Sequence, residues 1–448
     1  MNNAKENLRR RRRWLFVSLL LVAFLFRLGF GLSSEFWFED ELQVYLIGLK
    51  FFSTGAWPYF GPDVVGLAYQ IQIPGALQGL VVGLPIYIFP VVEAPFVLLN
   101  LVSLGALSLF AWYCVRLLPE IPAWLIWSWL LTAPWTLNYS THIINTSYLL
   151  PGSILFFVGA LELCPLTSKG LIRPRWAGLM MGLALGWTMQ FHLSWVLLVP
   201  YALAAFYFQF RARGGARLWR SLAWFACGAA LTGAFLLPTY IKFGFLHGAG
   251  GTNQAVTFNA GNVRRVFSPV EGVLARFLSF ASFEIPRFIG RNSAERWAFF
   301  KEELWLVPVT LFLLVVGILQ PIAMVGLWFT KLRAHKEWTA IKLLALGSVL
   351  LLCLSFLFSS KAPLSHTFYV LFPVAMIYSL YCWSPFLQKN GWQKFAGVCL
   401  ACGIVFHVAL ALHNFLRHSL YLNREIPATA IRSRDPNVLG QRRPGSLY

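Results

Sequence analysis

Charge is scarce in this chain. Only 12% of its 448 residues are Asp, Glu, Lys or Arg, against the ~25% of ordinary soluble domains. The mean hydropathy is +0.63. A fold with so few charges and long apolar runs is built for lipid as its solvent. Acid is scarcer than base, with 17 Asp and Glu against 37 Lys and Arg, a formal net charge of +20. On a soluble protein that excess would point to nucleic acid. Here it points to loops that face anionic lipid under the positive-inside rule, and no nucleic-acid partner is expected. Cysteine is sparse as well. The seven residues, Cys114, Cys164, Cys227, Cys353, Cys382, Cys399 and Cys402, are odd in number and fall almost entirely inside apolar runs. They carry no framework spacing, so a disulfide scaffold is excluded. The Cys399-x-x-Cys402 pair lies in a hydrophobic run and reads as two small residues on one helix face. There is no fixed-period repeat and no low-complexity stretch beyond five arginines at 9–13.

What the chain does have is aromatic and apolar. Phe, Trp and Tyr make up 17% of it, which fits lipid contact and interfacial belts. The arginines 9–13 precede an apolar run over 14–32. That run is long enough to span, and no small-residue cleavage site follows it, so it reads as a retained signal anchor with its N-terminus in the cytoplasm. Further apolar segments run over 69–90, 95–117, 121–138, 145–164, 176–192, 193–210, 221–242, 304–330, 341–360, 364–386 and 393–414. If all of them spanned, the basic loops at 169–175, 211–220, 331–336 and 388–394 would lie outside. If 69–90 does not span, all four move inside together. That segment is also rich in breakers, with Gln70, Gln72, Gln78, Pro74 and Pro85, and reads as an interfacial helix on the outer surface. The expected architecture is all-α: a polytopic transmembrane helix bundle of about eleven spans with outer-face interfacial helices. It forms one domain over 1–415, with outer loops at about 33–95 and 243–303, followed by a basic tail over 416–448.

This topology gathers the reactive side chains on one face. The first outer loop carries Glu39-Asp40-Glu41, after which Leu42, Tyr45, Leu46 and Leu49 fall on one helical face. Asp40 then sits at a helix start, where the dipole favours acid whether or not it does chemistry. Arg27 lies in the outer half of the first span, and either snorkels to headgroups or pairs with the acidic cluster. His142 and Asn145 stand at the outer end of a span, as sugar contacts or as interfacial caps. Arg264, Arg265, Arg287 and Arg291 are candidates by charge alone, with salt bridging to Glu271, Glu284 and Glu295 the plainer reading.

An Arg in the outer half of the first span, then Asp40-Glu41, Tyr45 and Gly55-Ala-Trp57-Pro, resembles the GT-C superfamily of membrane glycosyltransferases that use polyprenyl-phosphate sugars. The nearest branch holds the protein O-mannosyltransferases and the aminoarabinose transferases of lipid A. The family's non-spanning second outer helix begins with a proline motif, and Gln72-Ile73-Pro74-Gly75 is similar, with Gln72 where relatives carry a basic residue. Gln190-Phe-His192-Leu-Ser resembles a polar turn ending a central span. Lys361, His366 and Tyr369 before Pro373 resemble the late motif of a basic residue and a Tyr ahead of a span.

The resemblance implies a GT-C-like fold in the plasma (inner) membrane, multi-pass, with its site on the extracytoplasmic face. It implies transfer of a sugar from a polyprenyl-phosphate donor to an acceptor hydroxyl, with inversion, in contact with membrane lipid. The acceptor class stays open between glycan, lipid and protein. Asp40 would be the base and Glu41 its neighbour or a metal ligand. Lys361, His366 and Tyr369, with Gln190, His192, Arg27, His142 and Asn145, would bind substrate. No cofactor is required, and a divalent ion at the phosphate stays open. The competing expectation is a transporter or flippase of a lipid-linked or anionic substrate, which would place its polar residues near the bilayer midplane.

Overall fold

Without water to satisfy peptide groups, a chain in lipid must bond its backbone to itself, and helices do so within one segment. The apolar runs accordingly fold as helices. A computed structural model describes residues 2–34, 38–63, 71–266, 272–283, 289, 293–332, 335–359, 363, 365–417, 428–429 and 431–433. Among them nine helices are long and apolar enough to cross a membrane. The chain is thus a polytopic helical membrane protein.

In order, α1 is Asn2–Ser33, α2 Phe38–Thr54, α3 Leu77–Ile88, α4 Ala94–Leu117, α5 Ala123–Thr132, α6 Pro134–Asn138, α7 Leu149–Leu163, α8 Pro174–Met189, α9 Val199–Arg213, α10 Gly215–Gly233 and α11 Leu237–Gly248. Then follow α12 Val263–Val266, α13 Val273–Ser279, α14 Ser293–Glu302, α15 Val307–Trp328, α16 Trp338–Leu357, α17 Phe372–Leu387 and α18 Asn390–Arg417. Two of the eleven expected spans fall short of the length of a spanning helix. The run 121–138 is split into α5 and α6, and α8 has 16 residues.

The segment 69–90 holds a helix of only 12 residues, α3, ~18 Å long against the ~30 Å of a bilayer core. It is more enclosed than a helix lying on a surface. Leu77 to Gly83 are all buried, because α2 packs along it through Gly48, Gly79 and Gly83. Ahead of it β2 (Gln72–Pro74) pairs antiparallel with β1 (Phe60–Asp63), a small ribbon that the all-α expectation did not contain.

Contacts between loops fix which ends lie together. Lys169 and Glu337 form an ion pair at 2.5 Å, and His335 meets Glu120 at 3.3 Å and the Ser384 hydroxyl at 2.5 Å. Burial would raise the Glu337 carboxyl, but the hydrogen bond and charge of Lys169 outweigh it and hold the group below the usual range. Trp176 packs on Trp224. These contacts bring the four basic loops to one end of the bundle, the basic end. At the other, the Thr239 hydroxyl donates to Tyr59 O at 2.8 Å, Gln72 N donates to Gly250 O at 2.9 Å, and Asn262 donates to Phe356 O at 3.1 Å. This is the α2–α3 end.

The tightest helix pair is α8 with α10. A Cβ on Gly178, Gly182 or Gly186 would come within 2.6, 1.9 or 2.3 Å of Ser221 O, Phe225 O or Thr232 Oγ1, and one on Gly228 within 2.3 Å of Leu179 O. Glycine every fourth residue lets two backbones touch where lipid supplies no hydrophobic drive. Gly182→Leu is therefore expected to lower the thermal midpoint in detergent sharply, by the ~1–3 kcal/mol of overpacking or more. Gly105→Leu, on an open face of α4 with nothing within 4 Å, should leave that midpoint unchanged. Equal midpoints for the two variants would refute the close approach.

Candidate functional site

Among the described residues four spans begin at the α2–α3 end with a turn of 3-10 helix: α15, after Leu304–Leu306, and three whose turns meet. Asn145–Tyr148 runs into α7, Leu193–Leu198 into α9 and Ser365–Leu371 into α17. Proline in the first turn of α9 and α17 suits these starts, since its missing N–H is one the helix could not use. In a 3-10 turn, residues three apart eclipse. Asn145 therefore stands over Tyr148, and His366 over Tyr369. The turn over Ser365–Leu371 packs against the other two.

His192 caps the Leu193–Leu198 turn. Its Nδ1 accepts from Ser194 N at 3.1 Å and faces the Ser194 hydroxyl at 3.0 Å. That role puts the ring proton on Nε2, leaving it as a donor. Burial lowers the imidazole to about 4, so it is neutral at physiological pH. The His366 ring lies edge-on to it with centroids 6.1 Å apart. Sequence reasoning put these two histidines on one face, and the fold brings them together.

The third contributor comes from α2. Glu41 is buried, 8% exposed, and acts electrostatically on the Tyr148 hydroxyl. That hydroxyl and the neighbouring Ser147 hydroxyl are buried without a hydrogen-bond partner. The Tyr148 ring stacks on Phe191 at 4.8 Å, and its carbonyl accepts from Trp187 Nε1 at 2.7 Å. Tyr148 thus feels the charge of Glu41 and stacks on Phe191, the residue before His192. Tyr148 and Ser147 were missed in the sequence. The signal was a polar residue three before a Tyr, ahead of an apolar run, which the eclipse of a 3-10 turn makes meaningful.

Other expected site residues serve as framework. Gln190 is buried, and its Nε2 donates to Gly186 O at 3.0 Å and Thr232 O at 2.8 Å. Its Oε1 has no partner and lies against Gly75, where φ is +123° and a Cβ would approach within 2.6 Å. Gln78 crosses from α3 to donate to Gln190 O and Phe191 O at 3.0 and 3.1 Å. The Gln190–Phe191 turn is thereby tied to α3.

His142 is fully buried. Its Nε2 meets Ser34 O at 2.8 Å, and its Nδ1 meets Asn138 O at 3.1 Å, stitching α6 to the end of α1. Asn145 is half-buried and accepts from Thr146 N at 2.8 Å. Tyr369 is buried one turn below His366, donates to Trp135 O at 3.2 Å, and packs on Tyr139 at 5.5 Å.

Arg27 does not snorkel to the headgroups. It is fully buried and donates to Leu131 O at 2.8 Å, Thr136 O at 3.0 Å and the Ser140 hydroxyl at 2.5 Å. These acceptors flank the break between α5 and α6, where Ala133 is extended and Pro134 opens α6. A broken helix frees carbonyls at membrane depth, and something must satisfy them. Thr136 completes the repair, its hydroxyl bonding Leu130 O or Ala133 O at 2.9 Å.

Asp40 belongs to the first turn of α2, but its side chain, Lys361, Arg287, Arg291, Glu271, Glu284 and the side chain of Arg265 lie outside the described residues. Arg264 is exposed on α12 and Glu295 on α14. Among the described residues no group of three or more His, Cys, Asp or Glu is placed to hold a metal ion. The site thus combines a buried carboxylate, an unpartnered phenol and a neutral imidazole donor beside a second histidine. Such groups can accept and donate hydrogen bonds. No family model matches this chain, and neither curated proteins nor solved structures give a match to it.

Proposed function

We propose that this chain is a membrane glycosyltransferase that moves a sugar from a polyprenyl-phosphate donor to an acceptor hydroxyl at the α2–α3 end, which faces away from the cytoplasm. The observation that carries the reading is that a buried α2 carboxylate, Glu41, and the adjacent rings of His192 and His366 lie at the same end of the bundle, opposite the basic loops. Positive loops stay cytoplasmic, which orients the bundle in the plasma membrane.

In this reading Asp40 takes the acceptor's hydroxyl proton, with Glu41 as its neighbour. The acceptor oxygen bonds to the anomeric carbon from the face opposite the leaving group, inverting it. The bond from that carbon to the phosphate oxygen breaks, and its electron pair leaves with the polyprenyl phosphate. Lys361 and His366 meet the charge that develops there. A transporter is the second reading, and the broken α5–α6 segment is the feature that favours it. Yet Arg27 and Thr136 close that break with hydrogen bonds, leaving its freed carbonyls no coordinating role.

The test uses the full chain in sealed proteoliposomes. With a panel of polyprenyl-phosphate sugars and mixed acceptors, release of free polyprenyl phosphate is expected. Movement of the intact donor across the bilayer without release would instead establish the transporter. Single cysteines at the exposed positions Asp63 and Lys336 read orientation in cells. Asp63→Cys should react with an impermeant maleimide and Lys336→Cys should not; the reverse pattern would refute the proposed face.

A further inference from the structure

A groove lies outside the site just described, between α5, α15, α17 and α18. Its volume is about 270 Å³, and Trp129, Phe283, Ala323, Trp383 and Ala396 are on its walls. That is below the ~300–1,000 Å³ of a pocket for a compact drug-sized molecule, and suits part of one hydrocarbon chain. Its inner end is closed by Phe283, stacked on Trp129 at 5.9 Å, and by Gln320, whose Nε2 donates to Ala281 O at 2.8 Å.

Two features set the groove apart from ordinary lipid-facing surface. The indole N–H groups of Trp129 and Trp383, both on its walls, are buried and have no hydrogen-bond partner. Trp129 is only 8% exposed. Neither N–H opens onto the groove, so the walls offer an occupant apolar contact along its length. Second, the groove reaches the basic end. Trp383 lies one turn from the end of α17 and Trp392 at the start of α18, and Lys389 and Lys394 beside them are exposed.

We propose that this groove holds one acyl chain of an anionic diacyl phospholipid drawn from the leaflet at the basic end. The acyl chain lies along Trp129, Ala323, Trp383 and Ala396, and Lys389 and Lys394 meet the phosphate. Basic sites between helices on this side of a bilayer suit anionic headgroups. The inference is independent of the glycosyltransferase reading, since no residue of the α2–α3 end takes part.

The experiment delipidates the full chain in detergent and follows bound lipid by native mass spectrometry. The probes are dioleoyl phosphatidylglycerol, dioleoyl phosphatidylcholine, oleate and inorganic phosphate. One phosphatidylglycerol should bind ~tenfold or more tightly than phosphatidylcholine, and oleate and phosphate should not compete at equal concentration. Lys389→Gln with Lys394→Gln should bring phosphatidylglycerol to the phosphatidylcholine level without changing the latter. Ala323→Trp or Ala396→Trp, which fill the groove, should remove the single-lipid adduct. Equal binding of the two lipids, or an adduct that survives a filled groove, would overturn the proposal. Should a filled variant not fold, the exposed lysine pair still decides, because unchanged phosphatidylglycerol binding there also overturns it.

Discussion

Arg27→Leu is expected to cost the protein most of its stability, although it replaces a charge by an apolar side chain inside a membrane. If Arg27 merely snorkelled, the change would relieve the ~2.5–3.5 kcal/mol that a charge costs near the centre of a span and the variant would be as stable as the parent or more so. Its hydrogen bonds reverse that sign. Leucine would strand Leu131 O beside a broken helix and leave Thr136 O and the Ser140 hydroxyl with only the bond between them, all in buried surroundings. Unsatisfied buried groups cost ~1–3 kcal/mol each, and breaking a buried charged network ~3–5 kcal/mol. The expected readout is a large drop in thermal midpoint and in monodisperse yield in detergent. Arg27→Lys should fall between, since one ammonium cannot reproduce a planar fork that reaches three acceptors. A leucine variant as stable as the parent would show that the break closes without Arg27.

The contrast between these two readings of Arg27 marks how far the sequence reaches. Apolar runs and the side taken by basic loops follow from the cost of charge and of bare backbone in lipid, which is local to each segment. Those features made the spans legible, and the short α3 among them. Pro134 is visible as a breaker inside an apolar run, but the residue that repairs the break lies 104 positions from one of its acceptors, and nothing local announces it. The glycines 178, 182 and 186 drew no reading from the sequence, because their role depends on a partner helix that nothing local announces.

The site divides in the same way. His192 and His366 were placed on one face by topology alone, and they meet. Tyr369, chosen by motif, faces the Trp135–Tyr139 cluster instead, because a 3-10 turn rises ~2 Å per residue and carries it inward from His366. Tyr148 and Phe191 were invisible as site residues because their relation is stacking between two distant turns.

Asp40→Asn is expected to lower turnover by the ~10²–10⁴-fold that a positioned general base contributes, with fold and yield unchanged. The substitution keeps the size and shape of the side chain. Only the proton acceptor is lost. Glu41 is the internal comparison, because successive helical residues project ~100° apart and the two acids cannot occupy one position. Glu41 is the one buried beside Tyr148. Glu41→Gln should therefore disturb that contact and weaken donor binding more than the chemical step, raising KM while kcat falls less than in Asp40→Asn. Tyr148→Phe removes a hydroxyl that has no hydrogen-bond partner, so it should leave the thermal midpoint level or slightly higher. Any loss of activity it causes then reads as a lost substrate contact. Steady-state release of polyprenyl phosphate across the three variants separates these roles. Should Asp40→Asn turn over like the parent while Glu41→Gln is inactive, the base is Glu41, and the phenol beside it becomes its partner in holding the acceptor hydroxyl.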